Sequence, residues 1–159
     1  MNKAYLLTGG NMGEREMNLL KAKELIEETC GEVAAVSSLY TTSAWGETDQ
    51  PYFLNQALEV HTLLNARQLI RRILKIEKRM GRIRREKYGP RIIDIDVLLF
   101  NDEVYDLPFL KVPHPEMQNR RFALTPLAEI APGMMHPILK KSILTLLHEC
   151  PDDLEVLRL

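Results

Sequence analysis

The chain has 159 residues, 45% hydrophobic and 27% charged, which suits one domain with a real core and leaves no room for a second sizeable one. That composition excludes a disordered chain, and apolar runs such as Val97 to Phe100 fall far short of the ~20 residues that span a bilayer. The net charge of −1 argues against a dedicated nucleic-acid binder, yet it hides a segregation: Arg67 to Arg91 carries eleven Lys/Arg against Glu77 and Glu86, a local +9, while the other 134 residues sum to −10.

Lys3 to Thr8 is rich in strand formers and stops at Gly9-Gly10-Asn11, which predicts a first strand. Leu19, Ala22, Ile26 and Cys30 recur at helical spacing among Glu and Lys, which predicts an amphipathic helix ended by Gly31. Val33 to Thr41 reads as a second strand. Residues 42–52 then make a loop longer than the usual ~4 to 6 residues, and it carries Trp45. In the next segment Leu54, Leu58 and Val60 share one face and Phe53, Asn55 and Ala57 the other, so a third strand has two unlike faces. Asn65 and Gln68 have capping-box spacing and open a helix from Ala66 to Met80. Leu69, Ile70, Ile73, Leu74 and Met80 are expected toward its core, with Glu77 at the edge of that stripe.

A second long loop, GRIRREKYGPR, leads into the strand IIDIDVLLF. Beyond it the sequence predicts a hairpin around Asn101-Asp102, a Pro-rich link LKVPHPEM, a helix through Phe122 to Ile130 and a last helix capped by Ser142. The order β-α-β-β-α-β predicts a ferredoxin-like α+β sandwich, a mostly antiparallel sheet with helices on one face and the other at least partly open for a site. Cys30 and Cys150 are too few for a disulfide framework, and MNKAYLLTGGN resembles neither a secretory signal nor a transit peptide; a cytoplasmic location is expected.

Asp94 and Asp96 are the strongest chemical signal. In a strand, i and i+2 point to one side about 6.5 to 7 Å apart, so both carboxylates leave one face while Ile93, Ile95, Val97 and Leu99 enter the core. Asp is a poor strand former, and two in one Ile-rich strand need a reason. A hard cation supplies it, because Mg²⁺ prefers carboxylate oxygen and takes its remaining ligands from water and phosphate. A solvated face, or a pair bridged by Arg91, is the simpler alternative. Arg82, Arg84, Arg85, Lys87 and Arg91 fill the loop that feeds this strand, and cations there would neutralise charge moving during phosphoryl transfer.

Glu77 has no cation three or four positions away on its helix, so a partner must come from elsewhere. His114, between Pro113 and Pro115, is either a surface histidine or a phosphate contact. Trp45, Phe53 and Phe122 are each ordinary core candidates. Phe53, however, shares its face with Asn55, and an aromatic beside an amide suits a flat heterocycle. Gly9-Gly10-Asn11 is weak as a phosphate loop, lacking both the Walker and the GxGxxG spacing.

With these residues in place, Gly89-Pro90-Arg91-Ile92-Ile93-Asp94-Ile95-Asp96-Val97-Leu98 resembles the signature of the 6-hydroxymethyl-7,8-dihydropterin pyrophosphokinase family. AYLLTGGN, SSLYTT followed by DQPYFLNQA, KRMGRIRRE, VPHPEMQNRRF and PLAEIAP extend the resemblance over nearly the whole chain. It implies transfer of the β,γ-pyrophosphate of ATP to the pterin hydroxymethyl group, with release of AMP. Asp94 and Asp96 would hold two Mg²⁺ ions, and Arg82 and Arg91 would stabilise the moving group. Glu77, Arg84, His114 and Arg120 would serve ATP. The pterin would stack between Phe53 and Phe122, with Asn55 and main-chain groups near Thr42 and Trp45 reading its edge.

Gly10, Phe53, Tyr88 and Pro115 depart from the usual family residues; the two ring exchanges preserve stacking, while Pro115 offers no side-chain phosphate contact. Asp96, or a water beside it, is the expected proton acceptor. A monomer acting on small molecules, without nucleic acid or membrane, is the expected state. A two-metal phosphodiester enzyme would not explain Phe53, Asn55 and Phe122. An RNA-binding module would not place two Asp on its sheet face.

Overall fold

The computed structural model describes residues 1–42, 52–81 and 91–159. The first strand, β1, runs Asn2–Gly10, and α1 follows over Arg15–Thr29. Gly31 turns the chain for a reason of space: a Cβ there would stand 2.2 Å from the His61 carbonyl oxygen, so the glycine admits close backbone approach. The predicted strand from Val33 to Thr41 divides into β2, Glu32–Val36, and β3, Tyr40–Thr42. Between them the Ser37 hydroxyl takes the Ala57 N–H at 2.9 Å, replacing a ladder bond. Both lie along the same long strand, β4, Phe53–Thr62.

The helix α2, Ala66–Arg79, opens with the predicted capping box: Asn65 accepts from the Gln68 N–H at 2.9 Å and Gln68 from the Asn65 N–H at 2.9 Å. Leu69, Ile73, Ile76 and Glu77 are buried on its inner face, whereas Leu74, expected toward the core, is 43% exposed. Strand β5, Asp94–Phe100, comes next. The hairpin forms later than expected: Asn101-Asp102 is a turn, and the paired strands are β6, Tyr105–Leu107, and β7, Leu110–Val112. Helix α3 covers Arg121–Ile130, and α4, Ile143–His148, is capped by Ser142 accepting from the Thr145 N–H at 3.1 Å. A last strand, β8, spans Val156–Arg158.

The main sheet has the order β5-β1-β4-β3-β8 with β2 also on β4, and its described pairings are antiparallel. Leu6, Leu54, Leu58, Val60, Ile95 and Val97 pack on one side with Leu25 and Ile26 of α1 and Leu69 and Ile73 of α2. The helices do not keep to that side. Tyr5, Leu7, Ala57 and Leu99 form a second core with Ala123, Leu124 and Leu127 of α3 and Ile143 and Leu146 of α4. The face expected to stay open is therefore covered over much of its area by α3 and α4.

Leu99 belongs to this second core rather than to the first because the β1–β5 register shifts between Tyr5 and Leu6, whose partners are Leu99 and Val97. Leu98 is the extra residue of a bulge, which reverses the side-chain alternation after Val97. No helix among the described residues is long and apolar enough to cross a membrane.

Candidate active site

Three strands set the floor of the site. Gly9 of β1 is the register partner of Asn55 on β4 and of Asp94 on β5, and two residues back Leu7 pairs with Ala57 and Asp96. Residues directly opposite one another share a face, so Asn55, Asp94 and Asp96 stand on the side of α3, and Asn55 and Asp94 are two strand spacings, about 10 Å, apart. Gly9 makes room for the Asn55 amide, which lies over it. A Cβ there would come within 2.1 Å of Asn55 Nδ2.

Asn55 is buried; its Nδ2 reaches the Thr8 carbonyl at 3.4 Å, and its Oδ1 is buried with no hydrogen-bond partner among the described residues. A buried acceptor left open costs free energy and marks a place for an incoming donor. Phe53, two residues along the same face, is half-buried and pairs in register with Thr42. The Thr42 hydroxyl is committed to the Glu155 carbonyl at 2.9 Å.

On the other side of Gly9, Arg91 Nη1 donates to Asp94 Oδ2 at 3.0 Å. Asn11, expected only as part of a corner and a weak phosphate loop, holds that arginine: Asn11 Oδ1 accepts from the Arg91 N–H at 2.8 Å, and the N–H groups of Asn11 and Met12 donate to the Arg91 carbonyl at 2.9 and 3.2 Å. Gly9-Gly10-Asn11 thus grips the start of the Asp strand. Gly10 passes so close that a Cβ would lie 2.5 Å from the Ile92 carbonyl oxygen.

β5 ends the strand order, so its outer backbone groups need partners from elsewhere. Glu77 meets one need: its buried Oε2 accepts from the Ile95 N–H at 2.7 Å, between the two aspartates. The Leu98 carbonyl is taken by the His114 N–H at 3.0 Å, which docks the Pro-rich link along the same edge.

His114 is half-buried rather than on the surface. Burial lowers its pKa below the usual 6.5, an effect that the Asp96 charge opposes and the Arg120 charge reinforces. Its Nδ1 accepts from the Glu116 N–H at 3.2 Å, so the neutral ring carries its proton on Nε2. Arg120 stands with its guanidinium carbon 5.8 Å from the centre of the Phe122 ring, and Phe122 lies in the first turn of α3, half-buried against the second core.

Asp94, Asp96, Arg91, Glu77 and His114 therefore gather around one end of β5. Asn55, Phe53 and Thr42 lie across Gly9 from them, and Arg120 and Phe122 lie at the head of α3. Trp45, Arg82 and Arg84 lie outside the described residues. Among the described residues no group of three or more His, Cys, Asp or Glu side chains is arranged to hold a metal.

The model of the 7,8-dihydro-6-hydroxymethylpterin-pyrophosphokinase family matches residues 5–132. A 2-amino-4-hydroxy-6-hydroxymethyldihydropteridine pyrophosphokinase from Aquifex aeolicus is 45% identical over 143 residues, covering 90% of this chain and 89% of its own. The enzyme of that name from Bacillus subtilis is 45% identical over 130 residues, covering 81% and 78%. Among solved structures, HPPK-DHPS of Plasmodium falciparum superimposes with a TM-score of 0.74 at 21% identity, over 94% of this chain and 43% of that longer one, a likeness of fold. With a family match over most of its length and relatives aligned nearly end to end, the chain belongs to the 7,8-dihydro-6-hydroxymethylpterin-pyrophosphokinase family and is a kinase-type transferase.

Proposed function

We propose that this pyrophosphokinase of folate synthesis transfers the β,γ-pyrophosphate of ATP to the hydroxymethyl group of 6-hydroxymethyl-7,8-dihydropterin, with Mg²⁺, and releases AMP. The observation that carries the reading is the row Asn55–Gly9–Asp94, an amide with an open Oδ1 and a carboxylate on either side of a residue without a side chain. A pterin offers N–H donors along one edge, which suits the Asn55 acceptor. Its hydroxymethyl arm then extends toward the aspartates. Phe53 and Phe122 take the two faces of the ring, while main-chain groups near Thr42 and Trp45 read its edge.

Two neighbouring carboxylates are a fitting donor set for Mg²⁺ that takes its remaining ligands from water and phosphate, and Asp94 and Asp96 would hold two ions. Bound there, Mg²⁺ supplies charge neutralisation of the polyphosphate. Glu77, Arg84, His114 and Arg120 serve the nucleotide. In the transfer the hydroxymethyl oxygen bonds to the β phosphorus as the bond from that phosphorus to the AMP oxygen breaks, and AMP leaves with the bonding pair. The hydroxyl proton goes to a carboxylate oxygen of Asp96. Arg82 and Arg91 counter the negative charge that moves with the group. The enzyme acts as a cytoplasmic monomer of one domain, without nucleic-acid or membrane partners.

The test is to mix the protein with ATP, Mg²⁺ and the pterin and separate the products. AMP and the pterin diphosphate are expected in equal amounts, and formation of ADP, or of neither product by folded protein, defeats the reading. Asp94→Ala is expected to abolish Mg²⁺-dependent ATP binding in a calorimetric titration; unchanged binding removes Asp94 from the metal site.

A further inference from the structure

Helix α3 begins without a cap of its own, because its N-cap residue, Arg120, makes no side-chain capping bond. The missing acceptor comes from a segment beyond the family match, which ends at residue 132. Asp152 is 7% exposed; its Oδ2 accepts from the Arg121 N–H at 3.0 Å and its carbonyl from Arg121 Nε at 3.0 Å. Its Oδ1 takes the Leu154 N–H at 2.9 Å. All three bonds engage buried or part-buried groups, and a carboxylate at a helix N-terminus also meets the favourable end of the helix dipole.

Three residues on, the same segment holds the opposite side of the site. The Glu155 carbonyl accepts from the Thr42 hydroxyl at 2.9 Å, and Val156 pairs in register with Thr42, whose other partner is Phe53. Further along, Tyr40, the register partner of Arg158, donates to Glu129 of α3 at 2.6 Å, and Glu129 also accepts from the Ser38 N–H at 3.0 Å. Residues 152–158 thus join the first turn of α3, where Phe122 follows Arg121, to the end of β3 beside Phe53.

We propose that residues 152–158 are a clasp that sets the spacing of Phe122 and Phe53, and that Asp152 is a positioning residue for the ring bound between them. The proposal rests on reading these two aromatics as the pterin stack. Asp152 acts through its bonds to Arg121, which fix the helix turn from which one of the rings projects.

The experiment titrates the full chain with 6-hydroxymethyl-7,8-dihydropterin in the presence of Mg²⁺ and a non-hydrolysable ATP analogue. It compares Asp152→Ala, Asp152→Asn, Phe122→Ala and the Asp152→Ala/Phe122→Ala double variant, each checked for folding by its thermal melt. Asp152→Ala is expected to weaken pterin binding about ten-fold, as loss of a buried charged acceptor does. Asp152→Asn keeps one of the two acceptors but sets an NH2 against the other backbone N–H, so it recovers only part of that loss. In the Phe122→Ala background the Asp152→Ala effect shrinks to about two-fold or less, because both changes act on one contact.

If Phe122→Ala weakens binding while folded Asp152→Ala does not, or if the two losses multiply, the clasp is wrong and the stack stands. Unchanged binding in Phe122→Ala sinks stack and clasp together. Should Asp152→Ala be unfolded at the titration temperature, the same cycle with Asp152→Asn decides, a loss of about two- to three-fold that disappears beside Phe122→Ala being expected.

Discussion

Asn11 is 1% exposed and uses its side-chain oxygen to hold the main chain of Arg91, 80 residues away. The arginine it steadies is the one whose guanidinium rests on Asp94. For Arg91→Ala a fall in kcat of ~10² or more is expected with modest change in pterin affinity, the behaviour of a donor that acts on the transition state. An effect confined to KM would make Arg91 a ground-state contact. Asn11→Ala should lower kcat about ten-fold through Arg91 and cost about 1–3 kcal/mol of stability by leaving a backbone N–H unpaired. Quenched-flow turnover and hydrogen exchange at the Arg91 amide check it; independent, multiplying losses in the double variant would separate the two residues. The aspartate pair could be read from its spacing, and Asn55 from the face it shares with Phe53. Asn11 could not, because its partner lies far along the chain and an Asn after two Gly looks like any turn.

Helices and strands were legible where their signal is local. Asn65 and Gln68 cap α2 as their spacing predicts; Asn65→Ala should cost ~1 kcal/mol, read from the urea midpoint at unchanged slope. Glu77 looked ambiguous because no cation flanks it on its own helix. One partner is a backbone N–H of the outer strand, a kind of contact that residue spacing does not reveal. Replacing Glu77 by Leu should destabilise the protein by about 1–3 kcal/mol, since the buried Ile95 N–H loses its acceptor, and should speed exchange at that amide. Unaltered exchange at Ile95 would show that another group supplies the acceptor. The bulge at Leu98 was equally hidden, for alternation read along one strand assumes a regular partner.

Across the whole molecule the basic segment divides. Arg71, Lys75, Lys78 and Arg79 lie exposed on α2, while Arg72 donates to the Thr29 carbonyl and Arg67 sits over Phe109; of the described residues in that segment, Arg91 is the one on the aspartates. Two acid-sensitive links lie farther off. His136 is 4% exposed and accepts the N–H groups of Ile138 and Leu139 on Nδ1, and burial lowers its pKa from 6.5. The unfolded chain therefore binds that proton first, so this stabilisation is complete above pH 6.5 and declines as pH falls toward the lowered folded value. Burial would raise the Glu129 carboxyl, but hydrogen bonds from Tyr40 and Ser38 outweigh it and bring the pKa below 4.5, so its contribution is lost only in stronger acid. Thermal melts from pH 7.5 to 3.5 should show both declines, and His136→Asn, which keeps an acceptor near Nδ1, should flatten the first; an unchanged slope would rule His136 out. The sequence by itself determined the number and kind of most elements, the cap of α2, the side-by-side aspartates and the family resemblance, because periodicity, capping and motif spacing are local properties of the chain. The tertiary structure alone decided that helices cover both faces of the sheet, that Leu99 turns into the second core, that Asn11 grips Arg91 and that residues 152–158 tie α3 to β3. Those depend on which distant backbone groups meet, and hydrogen-bond partners 31 to 113 residues apart leave no mark in a local pattern.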